Sequence, residues 1–249
     1  HFSVQQNHLY EVMKNDVRTT HPISVLRVGL KCGGSDGMSG ITANPLLGRF
    51  SDYMALNGGT TVMGEVPEMF GAEQLLMQRC VDKEIFDKTV KLINNFKDYY
   101  TRHNQVIYEN PSPGNKKGGI TTLEEKSLGC VQKGGLSPVV DVLDYGDVLR
   151  KPGLSLLNGP GNDIVAITNL MAAGVHVILF TTGRGTPTGN AIVPVLKVTA
   201  NSRTYQRMED NMAVDLSAII RGEKTYKEMG AELLNTIHEV ANGRLTKAE

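Results

Sequence analysis

The sequence predicts an α/β fold, with a mostly parallel, twisted sheet flanked by helices. Short runs of β-branched residues alternate with longer segments of helical periodicity along the 249-residue chain, which is typical of this class. Four glycine-rich loops follow or border the predicted strands. The layering is Rossmann-like, but no dinucleotide fingerprint is present. The turn at 159–161 lacks the third glycine, and the glycines of 183–189 lead into a strand instead of a helix, which disfavours a nicotinamide cofactor.

The first half of the chain contains two predicted strands and several helices. Asn57, Gly58 and Gly59 are strong stop signals for the helix before them. A second long helix shows one apolar stripe at steps of three and four residues, formed by Phe86, Val90, Ile93, Phe96 and Tyr100. The predicted elements are a helix over 4–14, a strand over 25–30, a helix over 42–56, a strand over 60–63, helical segments over 72–80 and 82–100, and a helix over 122–132. Two prolines and three glycines predict that residues 108–119 form a loop.

The second half repeats this alternation. It contains predicted strands over 154–157, 175–180 and 192–199, a helix over 163–173, and two closing helices. Met229, Leu233, Ile237 and Val240 form one apolar stripe in the closing region. In such a sheet, ligands bind beyond the carboxyl ends of the strands, so the loops there are where we expect the chemistry.

Composition excludes several classes of protein. Lysine plus arginine and aspartate plus glutamate number 26 each, and this balance argues against a nucleic-acid binder. The most apolar run, 175–180, is far shorter than the roughly 20 residues of a membrane span. Three cysteines without a CxxC pair favour a reducing, cytoplasmic setting over a disulfide framework or a structural zinc site. The chain has no leader-like segment and begins inside a predicted helix, so we expect it to be part of a longer polypeptide.

The first two loops carry acidic residues. The first loop, residues 30–40, holds four glycines together with Cys32 and Asp36, which offer a thiol and a carboxylate. A plain glycine turn that caps the next helix explains it equally well. The second loop, residues 64–73, places Glu65 and Glu68 directly after a strand, where they suit a divalent cation or a proton shuttle. Acidic residues that favour a helix N-terminus are the structural alternative.

The other two loops carry cations. The third loop, residues 110–119, lacks the Lys-Ser/Thr pair of a phosphate-binding loop, but Lys116 and Lys117 remain suited to an anion. Titratable groups follow it on a helix, where a solvated charged face is the ordinary explanation: Glu124, Glu125, Lys126 and Cys130. The fourth loop, residues 181–190, places Arg184 among hydroxyl side chains, which suits the binding of a carboxylate. The structural alternative is a plain connection between two strands. Of the histidines, only His103 lies beside a loop and remains a candidate proton carrier.

Read together, these loops resemble the altronate/galactarate dehydratase family of sugar-acid hydro-lyases. The resemblance spans residues 9–243. It rests on five long motifs: LKCGGSDGMSGITANPLLGRFSDY, GGTTVMGEVPEMFGAEQLLM, YENPSPGNKKGGITTLEEKSLGC, PGND and LFTTGRGTPTG. Family members are longer at the N-terminus. The resemblance therefore implies that residues 1–249 are a C-terminal catalytic-type domain whose partners include upstream domains of the same polypeptide.

The resemblance implies that D-altronate loses water to give 2-dehydro-3-deoxy-D-gluconate, with Fe²⁺ or Mn²⁺ as cofactor. The expected roles comprise metal ligation by Asp36, Glu65, Glu68 and Cys32; proton transfer by Lys126, His103 and Glu125; and substrate binding by Arg184, Lys116, Thr186 and Asn115. In this scheme Lys126 is the base, with His103 as its rival or as the acid.

The resemblance leaves other functions open. Galactarate dehydration and carbon–sulfur cleavage of sulfolactate belong to the same family, and a non-catalytic scaffold with the chemistry upstream is the alternative of a different class. No nucleic-acid or membrane partner is expected. A homo-oligomer is compatible with the sequence, and the oligomeric state stays open.

Overall fold

Seven parallel strands form a single sheet in the computed structural model, which describes residues 2–247 of the chain and the side chains of residues 5–247. The strands are β1 (Arg27–Cys32), β2 (Thr60–Met63), β3 (Val139–Leu143), β4 (Gly153–Leu157), β5 (Val177–Thr181), β6 (Val195–Thr199) and β7 (Val214–Asp215). Their order across the sheet is β3-β4-β2-β1-β5-β6-β7, and every pairing is parallel. The predicted α/β class is confirmed.

Helices connect the strands and cover both faces of the sheet. They are α1 (Phe2–Met13), α2 (Asn44–Leu56), α3 (Gln74–Met77), α4 (Lys83–Arg102), α5 (Pro113–Lys117), α6 (Leu123–Val131), α7 (Asp163–Ala172), α8 (Ser202–Arg207), α9 (Ser217–Ile220) and α10 (Tyr226–Ala241). A π-helical turn, Ser39–Ala43, leads into α2. Side-chain caps start several helices: Asp82 accepts a hydrogen bond from the backbone of Ile85, and Thr122 accepts one from that of Glu125.

Alternation along the strands separates two apolar layers. In β5, Val177 and Leu179 face the layer beneath α2, α4 and α10, whereas Ile178 and Phe180 face the layer beneath α7. The predicted stripe of the closing helix is buried as expected. Every residue of β5 is buried, which explains its nearly continuous apolar sequence. In the part of the chain that the structure describes, no helix is both long and apolar enough to cross a bilayer.

The connections diverge at the centre of the sheet. From β1 the chain moves to β2 on one side, whereas from β5 it moves to β6 on the other. The loops that leave β1 and β5 are joined by hydrogen bonds from Gly33 N to Thr181 O (3.0 Å) and from Arg184 N to Gly34 O (3.0 Å). Such a switch point opens a crevice at the carboxyl edge of a parallel sheet, where ligands bind.

Two expectations from the sequence are wrong in detail. The segment 108–119 is not entirely a loop, because Pro113–Lys117 forms the short helix α5. Ser112 and Asn115 cap each other at its start, with proline at the first helical position, and this cap outweighs the glycine and proline content. Strands β3 and β7, both at sheet edges, were not predicted.

Candidate active site

Glu65, the second residue after β2, lies at the centre of a buried cluster of charged groups. Its backbone adopts a left-handed conformation (φ 62°, ψ 53°), which costs a non-glycine residue about 1–2 kcal/mol. Lys31 Nζ donates to Oε1 at 2.7 Å, and Lys133 Nζ donates to Oε2 at 3.1 Å. The backbone N–H of Cys32 also donates to Oε2, at 3.0 Å. Strained backbone at a fully bonded, buried carboxylate is typical of functional sites.

The lysines determine the charge state of Glu65. Burial raises the pKa of this carboxyl, but Lys133 and Lys31 lower it further, so that the net pKa is about 2. Burial lowers the pKa of Lys31, but Glu65, Cys32 and Asp163 together hold it above its ordinary value. Lys31 Nζ lies 2.9 Å from an Asp163 oxygen at the start of α7. Glu65 and Lys31 are therefore both charged at neutral pH.

Two buried thiols adjoin this carboxylate. Cys32 Sγ lies 3.7 Å from Cys130 Sγ and 3.8 Å from Glu65 Oε1, and Lys133 Nζ lies 3.0 Å from Cys130 Sγ. The hydrogen bond from Cys130 lowers the pKa of the Cys32 thiol to about 6; burial and Glu65 oppose this shift, while Lys133 and Lys126 support it. The pKa of Cys130 is raised, first because it donates that hydrogen bond and second because it is buried. The pair therefore loses its first proton easily and its second with difficulty.

A second ion pair lies beside the first. Lys126 Nζ donates to Glu68 Oε2, which also accepts a hydrogen bond from Asn110 Nδ2 at 3.0 Å. The Lys126 side chain is only 5% exposed and that of Glu68 is 15% exposed. Burial lowers the pKa of Lys126, but Cys32, Glu68 and Cys130 raise it well above its ordinary value. Lys126 therefore holds its proton in this state.

Helix α6 brings several of these groups together. Lys126 and Cys130 are four residues apart and share a face of the helix, and Lys133 follows in the next turn. Two glycines allow α6 to approach the first loop closely, because a Cβ on Gly129 would lie 3.1 Å from the Cα of Gly40. The spacing of these residues on α6, together with the close approach at the two glycines, therefore positions one wall of the site.

An open cavity of about 480 Å³ lies between the first loop and α6. Lys126, Cys130, Asp36, Glu125 and Ser35 are among the residues that line it. Within the described part of the chain, Ser35 Oγ is buried without a hydrogen-bond partner. The cavity therefore offers cationic, acidic and hydroxyl groups to a polar ligand.

Asp36 accepts hydrogen bonds from neutral groups, whereas Glu65 and Glu68 pair with lysines. It accepts hydrogen bonds from the backbone N–H and the hydroxyl of Ser39, both at 2.9 Å, and from Asn201 Nδ2 at 3.2 Å. These donors are neutral, in contrast to the lysines that pair with Glu65 and Glu68. The fourth loop covers Asp36 through Gly183, where a Cβ would lie 2.1 Å from the Asp36 carboxyl carbon.

The structure brings together some of the expected site residues. Cys32, Glu65, Glu68 and Lys126 lie in the cluster, and Asp36 and Glu125 line the cavity. Arg184 reaches across to the third loop, where a Cβ on Gly114 would lie 2.4 Å from its Nη1.

The other expected residues lie apart from the cluster. Asn115 has a structural role, because its Nδ2 donates to Ser35 O at 2.8 Å. Thr186 donates to Thr188 Oγ1 at 2.8 Å, and Lys116 is exposed. His103 is exposed at the end of α4, and its ring packs against that of Tyr99 at an angle of 59°.

The sequence pattern did not single out Lys31 and Lys133, two of the three lysines of the cluster, and it gave Cys130 no role as a ligand. Lys31 lies in β1 between Leu30 and Cys32, which are both buried, and a charged residue flanked by buried strand residues is the signal that was available. The lack of a CxxC pair did not prevent Cys32 and Cys130 from meeting, because 98 residues separate them and the fold brings them together.

The four expected metal ligands do not converge as one set. Among the described residues, the one group of three whose ligand atoms lie within 4.8 Å of one another is Cys32, Glu65 and Cys130. Asp36 and Glu68 lie outside this group. Two sulfurs and one carboxylate oxygen are a donor set that fits a divalent transition metal, so the residues present are compatible with the expected cofactor.

Gly183 provides a test of the close contact between the fourth loop and Asp36. We expect Gly183→Ala to lower the free energy of unfolding by about 1–3 kcal/mol, because the new methyl group overlaps a buried carboxyl. Gly230→Ala in α10 is the matched control, since its Cβ would lie 3.8 Å from the nearest atom. Urea unfolding measures both. Equal free energies for the two variants would contradict the contact.

The pH dependence of stability follows from the lowered pKa of Glu65. Its pKa falls from an ordinary 4.5 to about 2, so its contribution is fully present above pH 4.5 and is lost as the pH falls towards 2. We expect the free energy of unfolding of chelator-treated protein to decrease over that window. Glu65→Gln should remove most of this decrease, and an unchanged acid profile in the variant would contradict the assignment.

Comparison with known proteins gives consistent matches. The family model described as D-galactarate/Altronate dehydratase, C-terminal, matches residues 23–249. Altronate dehydratase of Escherichia coli (strain K12) is 57% identical over 96% of this chain and 48% of its own length. Altronate dehydratase of Bacillus subtilis (strain 168) is 54% identical over 97% and 48%. Galactarate dehydratase (L-threo-forming) of E. coli K12 is 39% identical over 97% and 46%. The chain therefore spans about half the length of these relatives.

Proposed function

The chain belongs to the D-galactarate/altronate dehydratase family, and from this membership we propose that it carries the catalytic loops of a sugar-acid dehydratase. D-altronate is the proposed substrate, because the two most similar relatives above bear the name altronate dehydratase. Upstream domains of the same polypeptide are proposed partners, since the relatives are about twice as long. A cytoplasmic location remains a prediction.

The proposed reaction removes water across C2 and C3 of the acid. A base takes the proton from C2, beside the carboxylate, and the C3–O bond breaks as its hydroxyl is protonated and leaves as water. The resulting enol takes a proton at C3 and gives 2-dehydro-3-deoxy-D-gluconate. Because the C2 proton is weakly acidic, the site must stabilise negative charge that develops on the carboxylate side of the substrate.

One observation supports this proposal above the others. Three buried lysines, Lys31, Lys126 and Lys133, surround two glutamates and two thiols at the switch point of the sheet. Lys126 and Cys130 belong to this cluster and also line the open cavity. A scaffold domain gains no evident stability from burying so many charges, because their desolvation offsets most of their attraction. Binding of a charged substrate or a metal ion explains the arrangement better.

We assign roles from the contacts. Lys126, held protonated by Glu68, suits delivery of a proton to the leaving hydroxyl and stabilisation of negative charge. It suits the role of base less well, although the sequence favoured that role. Asp36 lines the cavity, accepts its hydrogen bonds from the neutral groups of Ser39 and Asn201, and is our candidate for the C2 base. A bound Fe²⁺ or Mn²⁺ ion would act as a Lewis acid on the developing charge, and Cys32 and Glu65 are the expected ligands that adjoin each other.

The remaining expected residues are assigned to substrate binding and orientation. Arg184 and the exposed Lys116 are proposed to bind the substrate carboxylate, with Ser35 and Thr186 offering hydroxyls. Asn115 orients the first loop through Ser35 and is proposed to act only indirectly. Glu125 lines the cavity and remains a candidate proton carrier, as does His103 if it approaches when substrate binds.

Galactarate is the second candidate substrate, because a galactarate dehydratase is 39% identical over nearly the whole chain. The two acids share the reacting C1–C3 unit and differ at the far end and in stereochemistry. The roles proposed above concern the reacting end, so the choice of altronate rests on the higher identity to the altronate dehydratases.

The test is release of a 2-keto acid from D-altronate and from galactarate under anaerobic Fe²⁺. This chain is assayed beside a version extended upstream to the length of its relatives. We expect turnover of D-altronate in the extended version at least, and sulfite release from sulfolactate serves as the assay for carbon–sulfur cleavage. Folded protein that forms no keto acid in either version would overturn the proposal.

A further inference from the structure

We propose that Cys32, Cys130 and Glu65 form the binding site for one thiophilic divalent cation, with Fe²⁺ favoured over Mn²⁺. The two sulfurs are 3.7 Å apart, and Cys32 Sγ lies 3.8 Å from Glu65 Oε1. Thiolates bound at about 2.3 Å to one tetrahedral ion lie about 3.8 Å from each other. The spacing of the donors therefore matches that of a tetrahedral site before any atom moves.

The three donors come from rigid parts of the fold. Cys32 is the last residue of β1, Glu65 is the second residue after β2, and Cys130 lies on α6. β1 and β2 are neighbouring strands in parallel register, so their carboxyl ends are fixed next to each other. All three side chains are buried. Donors on such elements form a preorganised site that needs no loop closure to assemble.

Hydrogen bonds from neighbouring lysines hold the proposed metal ligands in their orientation. Lys133 Nζ donates to both Cys130 Sγ (3.0 Å) and Glu65 Oε2 (3.1 Å), and Lys31 Nζ donates to Glu65 Oε1. Groups that hydrogen-bond to metal ligands fix their geometry and strengthen binding. Each oxygen of a carboxylate can accept a further contact beyond these bonds. The lysines are therefore compatible with an ion at this point.

The charge balance also favours a divalent cation. Three carboxylates, those of Glu65, Glu68 and Asp163, face the three lysines of the cluster. Binding forms two sulfur–metal bonds, releases to solvent the protons that the two thiols still carry, and involves no change of oxidation state. With both thiolates and one divalent cation present, the buried cluster carries no net charge, which limits the desolvation penalty.

The donor chemistry selects the class of metal. Thiolates favour Fe²⁺ and Zn²⁺ over Mn²⁺, which prefers oxygen ligands. The oxygen-rich alternative, with Asp36 and Glu68, is disfavoured because, among the described residues, neither belongs to the group whose ligand atoms lie within 4.8 Å of one another. Three protein ligands leave one position of a tetrahedral ion open, as in catalytic sites. Cys130 also lines the cavity, where that position would meet the substrate.

Titration with Co²⁺ provides the test, because the absorption spectrum of bound Co²⁺ depends on the atoms that ligate it. The chain is stripped with chelator under anaerobic conditions and titrated with Co²⁺. We expect one equivalent to bind, with an intense thiolate-to-cobalt charge-transfer band in the near ultraviolet. Cys130→Ser and Cys32→Ser should each weaken that band and lower the affinity for Co²⁺ at least about tenfold. Cys80→Ser is the matched control and should leave both unchanged, since Cys80 contacts Leu76 and Thr89 instead.

A second measurement uses the unaltered chain and so does not depend on whether a variant folds. X-ray absorption of the Zn²⁺-loaded protein should show two sulfur neighbours at about 2.3 Å and additional light-atom neighbours. Cobalt or zinc bound with oxygen and nitrogen neighbours alone would overturn the inference. So would an absence of tight metal binding, or a Cys32–Cys130 disulfide in protein purified anaerobically.

The role of the ion in catalysis rests on the proposed function. The binding of the ion to these three residues does not. Neither spectroscopic measurement involves turnover. A sulfur-ligated ion in a protein that dehydrates no sugar acid would refute the proposed function and retain this site. Turnover in a protein whose ion has no sulfur neighbour would do the reverse.

Discussion

Glu65→Gln should lower the free energy of unfolding by about 3–5 kcal/mol, which is one of the two largest effects we expect. The amide has nearly the same shape as the carboxylate but no charge, so Lys31 and Lys133 remain buried without their shared counter-ion. Urea unfolding of chelator-treated protein at neutral pH measures the difference. Turnover should also be lost, because the Cys32 and Cys130 thiols then face an altered charge distribution.

Two further variants show that the effect belongs to the buried pair. Glu73→Gln, in an ion pair with Lys97 closer to the surface, should cost no more than about 1 kcal/mol. Lys133→Met combined with Glu65→Gln should recover part of the loss, because it removes one of the two uncompensated charges. A Glu65→Gln variant as stable as Glu73→Gln would mean that solvent reaches the cluster and screens it.

Lys126→Ala should lower kcat by about 10²–10⁴-fold, which is the second large effect. Lys126 is the cluster lysine that also lines the cavity, so its ammonium group is the one placed to act on bound substrate. Initial rates of keto-acid formation from D-altronate, in the version of the protein that turns over, measure the loss. Added primary alkylamines should restore part of the activity, since they replace the missing amine in the cavity.

Lys97→Ala is the matched control for this substitution. Lys97 also pairs with a glutamate, Glu73, but it does not line the cavity, so kcat should stay close to that of the unaltered protein. Near-normal turnover of Lys126→Ala would exclude a role in proton transfer. A large loss that amines do not rescue, in a variant with lowered stability, would indicate that Lys126 is only structural.

Much of the fold could be predicted because local signals agreed with the tertiary structure. Strand β2 was predicted with the bounds that the structure shows, since β-branched residues follow a glycine stop signal. The apolar stripe of α10 was predicted because its period matches a helix that packs by one face. Edge strand β3 was missed because one charged residue, Asp141, interrupts its short apolar sequence. Helix α5 was missed because its cap, rather than its composition, makes it helical.

The candidate site was harder to predict than the fold. Its loops were recognised because the carboxyl ends of parallel strands meet at one edge of the sheet. The pairing of Lys31 with Glu65 and of Lys126 with Glu68 depends on which side chains face each other across that edge. Sequence spacing carries no such information over separations of 34 and 58 residues. For the same reason the sequence favoured Asp36 as a metal ligand, whereas the structure places Cys130 beside Cys32.

The most direct test of the proposed chemistry is deuterium incorporation during conversion of D-altronate in D₂O, followed by NMR. The product of C2 proton abstraction and C3 hydroxyl loss takes its new hydrogen at C3 from solvent. We predict 2-dehydro-3-deoxy-D-gluconate that carries one deuterium at C3 and a keto group at C2, at early times in the reaction. Unchanged D-altronate in the version extended upstream, or a product that retains the original C2 hydrogen, would contradict the assignment of this chain to sugar-acid dehydration.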